Sequence, residues 1–319
     1  MILKLKPAFK DYLWGGTKLK TDFGFESELD KLAEGWMLSC HKDGENTVEN
    51  GAYAGRTLTE VIELEGRDIL GENGKKFDFF PILIKLIDAK NDLSVQVHPD
   101  NEYALRVEGE YGKTECWYVL DCEEGAELIY GFKKKISTDE FRERIADNSF
   151  LDVVNKVKVK KGDFFFIEAG TLHAIGGGIL LCEIQQNSNT TYRVYDYNRK
   201  DKDGNTRPLH VDKAVDVTLC EPPKYGTKPQ GEVKTINGGK SQKLVDCELF
   251  RVKRIDVESE VSFNVGNDSF VSVVVLDGEG EIENGCETLG LKKGDSIFIA
   301  ADSGKVKIKG RLSLIKTTV

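Results

Sequence analysis

From Phe77 onward the chain is written in short apolar runs, DFFPILIKLIDA, LSVQVHP, ECWYVLDC and ELIYGFK, broken by glycine, asparagine and charged residues. Runs of this length that alternate or stay continuously apolar predict strands. In SVQVHPD, residues 94 to 100, Val95 and Val97 alternate with Gln96 and His98, so a strand puts both polar side chains on one face. Strands return in VKVKKGDFFFIEAGTLHAI and GILLCEIQQNSNTTYRVYDY. They return again in ELFRVKRIDV, SFVSVVVLDGEGEI, TLGLKKGDSIFIA and KVKIKGRLSLI. Close spacing with glycine turns predicts a mainly β protein of antiparallel barrel or jelly-roll type.

Helical patterns are few and carry no chemistry. Thr57 with Glu60 predicts a capping box opening TLTEVIELEG, and Ser137 with Glu140 predicts another opening STDEFRERIAD, where Phe141 and Ile145 share a face. In PLHVDKAVDVTL, Val211, Val215 and Leu219 have helical spacing, which makes His210 a helix-start residue rather than a ligand. The first 56 residues are loop-rich, with a strand where Trp36, Leu38 and Cys40 alternate with Met37 and Ser39. His41, just past that strand, reads as a strand-end histidine.

At 319 residues the chain exceeds one ordinary barrel, and two domains are expected. Residues 220–243 combine proline, glycine and charge without periodicity, which marks a linker and divides the chain into 1–225 and 226–319. The two parts share a phrase. KKGDFFFIEAGTLH (160–173) aligns without a gap on KKGDSIFIAADSGK (292–305), with Gly162 over Gly294, Asp163 over Asp295 and His173 over Lys305. A repeated barrel follows, the second copy structural and without ligands.

Charge narrows the partners. With 54 acidic against 45 basic residues the net charge is −9, which argues against nucleic acid and anionic membranes but leaves room for an anionic small molecule. The opening MILKLKPAFKDYLWGG lacks a signal-peptide core and no run reaches the length of a membrane helix, so a cytoplasmic location is expected. The seven cysteines include no CxxC pair and read as reduced thiols.

Candidate metal donors come from three separated stretches: Gln96 and His98, then Glu115 in KTECWYVL, then His173 in EAGTLHAIGGG. A mixed nitrogen and oxygen set suits zinc but would also take manganese, iron or cobalt. The spacing from Gly162 through Glu168, Ala169 and Gly170 to His173 resembles the second cupin motif, and Gln96–Val97–His98 followed by Glu115 resembles the first, with glutamine for its first histidine. Together with LWGG, EGWMLS, NSNTTYRVYDYNR and HVDKA, the pattern resembles the type I mannose-6-phosphate isomerases of the cupin superfamily, in their short bacterial form. The resemblance implies two cupin barrels, the N-terminal one carrying one Zn2+ per chain on Gln96, His98, Glu115 and His173. It implies a sugar-phosphate substrate, with Arg193, Lys113 and Glu183 catalytic and Lys85 and Ser94 in contact with substrate. The oligomeric state stays open, with a monomer favoured. Relatives commonly carry an acid where this chain has Asn189. By its surroundings alone, Arg193 would be a strand-surface residue paired with Asp196. Two other readings stand beside the isomerase: a non-catalytic sugar-binding or regulatory metal cupin, and a metal cupin of another chemistry, such as a dioxygenase or an isomerase of a different sugar phosphate.

Overall fold

The computed structural model describes residues 1–200 and 203–319. Its strands form three antiparallel sheets, and the expectation of a mainly β protein holds. One sheet has six strands, in the order Phe164–Ile167, Glu115–Cys122, Ile179–Gln186, Ile82–Ala89, Glu34–Leu38 and Ala8–Lys10. A second has five, ordered Tyr192–Tyr195, Val95–Val97, His173–Ala174, Glu127–Phe132 and Val154–Lys158. The third has ten strands and is built mostly from the C-terminal third of the chain. It also takes in Ile2–Lys6 and Thr47–Val48, the former lying against Ser296–Ile299.

The six-stranded sheet is covered on both faces, which is why its central strands read as continuous apolar text. Alternation still sorts the side chains. Ile84, Leu86, Cys116, Tyr118, Cys182, Ile184, Phe164 and Phe166 join a core shared with Leu5, Phe250, Phe270 and Phe298 of the ten-stranded side. Ile87, Trp117, Val119, Leu181, Phe165 and Ile167 face the other way, into a core shared with Leu128 and Tyr130 of the five-stranded sheet. Lys85, Glu115 and Glu183 fall on this second face by the same period of two.

The Leu58–Glu65 helix carries the full capping box of Thr57 and Glu60. Only half of the second one forms. Ser137 Oγ accepts from the Glu140 N–H at 3.0 Å, but the Glu140 carboxylate pairs with Arg144 at 2.8 Å instead of reaching back. Part of the segment expected to be a linker is a hairpin, Val233–Ile236 against Gly239–Asp246. Its first strand is exposed throughout at the sheet edge, so burial imposed no alternation to read. All seven cysteines are free thiols.

Candidate active site

Two rows of side chains, one from each facing sheet, build the site. In the five-stranded sheet the register sets Arg193 beside Gln96 and Gln96 beside His173. In the six-stranded sheet it sets Trp36 beside Lys85, Lys85 beside Glu183, and Glu183 beside Trp117. Cross-strand partners project from the same face, so residues far apart in sequence become neighbours. Glu115 lies two residues before Trp117, and His98 follows the Val95–Val97 strand. The Trp117 indole meets the His173 ring edge-on at 5.3 Å and joins the rows.

His98, Glu115 and His173 converge at the centre. His98 Nε2 is 3.8 Å from one Glu115 oxygen and His173 Nε2 is 3.4 Å from the other. The ligand atoms of all three lie within 4.8 Å of one another, and the three side chains are buried. His98 Nδ1–H donates to the Thr190 carbonyl at 2.9 Å, and His173 Nδ1–H donates to the Thr171 carbonyl at 2.8 Å. A carbonyl only accepts, so each ring carries its proton on Nδ1 and turns the Nε2 lone pair toward Glu115. Burial holds the His98 imidazole well below its ordinary pKa and brings His173 down to about 4, so both are neutral at neutral pH. Burial, and then the nearby Glu183 carboxylate, push the Glu115 carboxyl up to about 7. Neither Glu115 oxygen accepts a well-formed hydrogen bond; the Lys113 ammonium stands 2.6 Å from one of them and 3.2 Å from His98 Nε2.

This donor set fits a divalent metal. Tetrahedral ligands about 2.1 Å from an ion lie roughly 3.4 Å from one another, which the nitrogen–oxygen separations approach. Gln96 adjoins the cluster, its amide nitrogen 3.5 Å from His173 Nε2 and its oxygen accepting from Ser94 Oγ at 3.3 Å. Two neighbours of the cluster, Gln96 and Lys113, line a cavity of about 270 Å³, with Tyr12, Trp14, Glu34, Lys85, Ser94, Glu183, Asn189, Arg193 and Arg207 among its other walls. A larger, more apolar cleft of about 560 Å³, lined by Ile62, Leu70, Phe79 and Tyr111, shares no lining residue with that cavity.

Residues 2–128 match the family described as phosphomannose isomerase type I, catalytic domain, and residues 240–319 match the mannose-6-phosphate isomerase cupin domain. The chain is 40% identical over 313 residues to the mannose-6-phosphate isomerase of Streptococcus mutans, covering 98% of this chain and 96% of that one. It is equally identical to a mannose-6-phosphate isomerase of Bacillus subtilis over 309 residues, 97% of this chain and 96% of the relative. The chain belongs to the type I phosphomannose isomerase family. The crystal structure of the Bacillus subtilis mannose 6-phosphate isomerase superposes with a TM-score of 0.91 at 38% identity, over 100% of this chain and 99% of that one. A phosphomannose isomerase of Salmonella typhimurium shares the fold, with a TM-score of 0.78 at 18% identity over 100% of this chain and 99% of its own.

In this family member the residues singled out from sequence meet in one place. Glu183 is buried and accepts from Trp117 Nε1 at 2.8 Å, with Lys113 at 3.5 Å and Lys85 at 3.6 Å from its other oxygen. Burial raises the Glu183 pKa, but the two ammonium groups outweigh it and hold the carboxyl below its ordinary value. Burial lowers the Lys85 pKa, and Glu34 with Glu183 more than reverses it, so this amine stays charged. Arg193 donates from Nε to Ser94 Oγ at 3.3 Å and from a terminal nitrogen to the Pro208 carbonyl at 2.9 Å. The pairing with Asp196 that its surroundings suggested does not form, because Arg199 and Arg207 occupy that carboxylate.

His41 and His210 lie outside the cluster. His41 Nδ1 accepts from the Asp43 backbone at 3.1 Å, and His210, the N-cap of Val211–Val217, accepts from the Arg193 backbone N–H at 3.2 Å. Asn189 donates to Asp43 at 2.8 Å, so an acid in its place would face a second carboxylate. Sequence reasoning missed Glu34, whose carboxylate accepts from Trp36 Nε1 at 2.6 Å and lies 3.4 Å from Lys85. An acid in the apolar stretch EGWMLS was the available signal. Arg207, in a polar loop, gave none.

Proposed function

We propose that this chain is a metal-dependent aldose–ketose isomerase interconverting mannose 6-phosphate and fructose 6-phosphate, the activity after which its full-length relatives are named. The observation that carries the reading is the buried His98–Glu115–His173 cluster, adjoined by Gln96 and Lys113, beside a cavity that offers two carboxylates, two ammonium groups and two arginines. In the proposed division, residues 1–225 form a cupin barrel around the metal. Residues 226–319 form a second one without ligands, with Ile2–Lys6 and Thr47–Val48 lent across the boundary to its sheet.

The metal proposed is one zinc per chain, which His98, Glu115 and His173 would hold, with Gln96 beside them as the fourth protein donor. When bound it would supply a Lewis acid for a substrate oxygen, an effect worth several kcal/mol. The chain's own groups do the rest. Glu183, kept ionised by Lys113 and Lys85, takes the proton from C2 of the open-chain aldose and returns it to C1 of the enediolate, giving the ketose. Lys113, poised between Glu115 and Glu183, handles the proton that passes between the two substrate oxygens. Arg193 places a permanently charged, forked donor against the oxyanion that develops, and its link to Ser94 orients it. Lys85 and Ser94 line the same cavity and hold substrate hydroxyls.

The test is a coupled assay of fructose 6-phosphate formation from mannose 6-phosphate, before and after chelation, with zinc, manganese, iron and cobalt added back separately. Activity lost to the chelator and restored best by zinc is the expected result. A protein that keeps its metal and turns over nothing would reject the isomerase reading.

A further inference from the structure

A carboxylate that moves a proton from carbon must present one oxygen to the substrate and hold still while it does so. We propose that Trp117 is the positioning residue of this step: its indole N–H clamps one oxygen of Glu183 and leaves the other as the atom that takes the C2 proton. This rests on the isomerase reading and deepens it, from which residue is the base to which of its atoms reacts.

The two oxygens of Glu183 have different surroundings. Oε2 accepts from Trp117 Nε1 at 2.8 Å. Oε1 is buried yet accepts no hydrogen bond from the described residues, and it faces the ammonium groups of Lys113 at 3.5 Å and Lys85 at 3.6 Å. A buried oxygen left without a donor costs free energy, so such atoms in a folded protein mark work of another kind. Glu183 and both lysines line the cavity, so the unpartnered oxygen lies among the groups that border it.

Trp117 is built to hold and not to react. An indole offers one donor and no acceptor. Trp117 stands directly opposite Glu183 in the ladder and is fully buried, its ring edge-on to His173 at 5.3 Å and tilted against Phe165 at 6.5 Å. It is not one of the described residues that line the cavity, so it acts through Glu183 and not on the substrate. With Oε2 held, the carboxylate cannot turn about its last bond. Oε1 takes the C2 proton while the C–H electron pair passes into the enediolate, and the same oxygen then returns the proton to C1. The bond to Trp117 persists through both transfers. The row contains its own comparison: Trp36, opposite Lys85 and also fully buried, donates to Glu34 at 2.6 Å. There the indole and the Lys85 ammonium share one oxygen, whereas at Glu183 the indole and the ammonium groups take different ones.

The experiment compares the zinc-loaded wild-type protein with Trp117→Phe and Trp36→Phe, which keep an aromatic ring and lose the N–H. It measures zinc content, and kcat and KM for mannose 6-phosphate and for its 2-deuterated form. Loss of a hydrogen bond to a charged group should lower kcat about 10- to 100-fold in Trp117→Phe, with KM within about threefold and zinc content unchanged. Its deuterium isotope effect should exceed that of the wild type, because the slowed proton transfer then limits turnover. Trp36→Phe should keep the wild-type isotope effect, whatever it does to KM. Wild-type kcat in Trp117→Phe, or the same fall and the same isotope effect in both variants, would overturn the proposal and leave the indoles as packing. Zinc lost from Trp117→Phe would also overturn it, since Trp117 would then serve His173. If the wild type turns over nothing, the isomerase reading fails separately, and the clamp is decided by the Trp117 indole N–H resonance, identified by its absence from Trp117→Phe. A clamp predicts that this resonance moves upfield in Glu183→Gln, and a resonance that stays in place would rule it out.

Discussion

At 160–163 and again at 292–295 the sequence KKGD closes a turn with the same set of bonds. Asp163 accepts from the Lys160 N–H at 3.0 Å, and Asp295 from the Lys292 N–H at 2.8 Å. Gly162 donates to Val119 and Gly294 to Val275, each at 2.9 Å, and both glycines sit at φ 90°. Each turn leads into a four-residue buried strand, Phe164–Ile167 or Ser296–Ile299. Only then do the copies part. After Ile167 the chain turns at Gly170, whose N–H donates to the His98 carbonyl at 2.8 Å, and crosses to the five-stranded sheet, where His173 meets Gln96. After Ile299 it runs instead into the long Gly304–Thr318 strand, and Lys305 lies opposite Asn264. Backbone chemistry repeats the scaffold, and the chemistry of the site is decided by the few residues that follow the shared strand.

The strongest way to break this contrast is to remove the carboxylate at the centre of the first copy. Glu115→Ala should lose bound metal, and kcat/KM should fall on the order of a thousandfold or more. The converse graft, Lys305→His, should leave the metal content per chain unchanged, because no Glu115 or His98 faces that position. Metal analysis of both proteins checks the pair, and a second ion bound by Lys305→His would contradict the account.

Glu183→Gln separates proton transfer from metal binding. Glu183 is not among the clustered ligands, so metal content should stay at the wild-type value while kcat drops about a hundredfold or more. Activity within a few-fold of wild type would remove Glu183 as the base.

The contrast also explains what was legible in the chain. Strands could be read because alternation is local, and His98, Glu115 and His173, which the fold brings together, because each lies in a recognisable short stretch of its own. The recurring turn and strand showed as the shared phrase of 160–173 and 292–305 for the same reason. Other features depend on register. Lys85 opposite Glu183 and Arg193 opposite Gln96 are cross-strand neighbours, and nothing within a window of ten residues encodes them. The hairpin at 233–246 was missed because an exposed edge strand needs no apolar face. Glu140 could not be assigned to the cap in advance, since Arg144, one turn on, competes for its carboxylate.

The second half of the molecule carries a half-buried amine of its own, and it provides a control with no part in the proposed reaction. Lys316 lies over the Phe263 ring at 4.9 Å and directly opposite Lys253 in the sheet. Burial, and then Lys253, bring its pKa down to about 8 from 10.5. The unfolded chain therefore binds the extra proton between about pH 8 and 10.5, and stability should rise with pH across that window. Lys316→Met should flatten this slope and stabilise the protein at pH 7 by about 1 to 3 kcal/mol, the range allowing for water that still reaches the amine. Thermal unfolding at pH 7 and pH 10 checks it, and a destabilised variant would be the contrary result. Activity should not change.

The smallest effect bears most directly on the two turns. Asp163→Ala and Asp295→Ala each remove the carboxylate that caps a turn, at a cost of about 1 kcal/mol for the lost hydrogen bond to the lysine N–H. Asp295 also pairs with Lys4 at 2.8 Å, which ties the first strand of the chain to the third sheet, so its loss should lower the melting temperature somewhat more. Activity should rank the other way. The Asp163 turn feeds the strand and the Gly170 bend that bring His173 to Glu115, so a shift of a few tenths of an ångström there is felt in the ligand cluster. The Asp295 turn feeds a strand that ends in packing alone. Asp163→Ala should therefore reduce kcat a few-fold and weaken metal retention under a chelator, while Asp295→Ala, the less stable protein, keeps both. Equal losses of activity in the two variants would mean that the copies are mechanically coupled through the core they share.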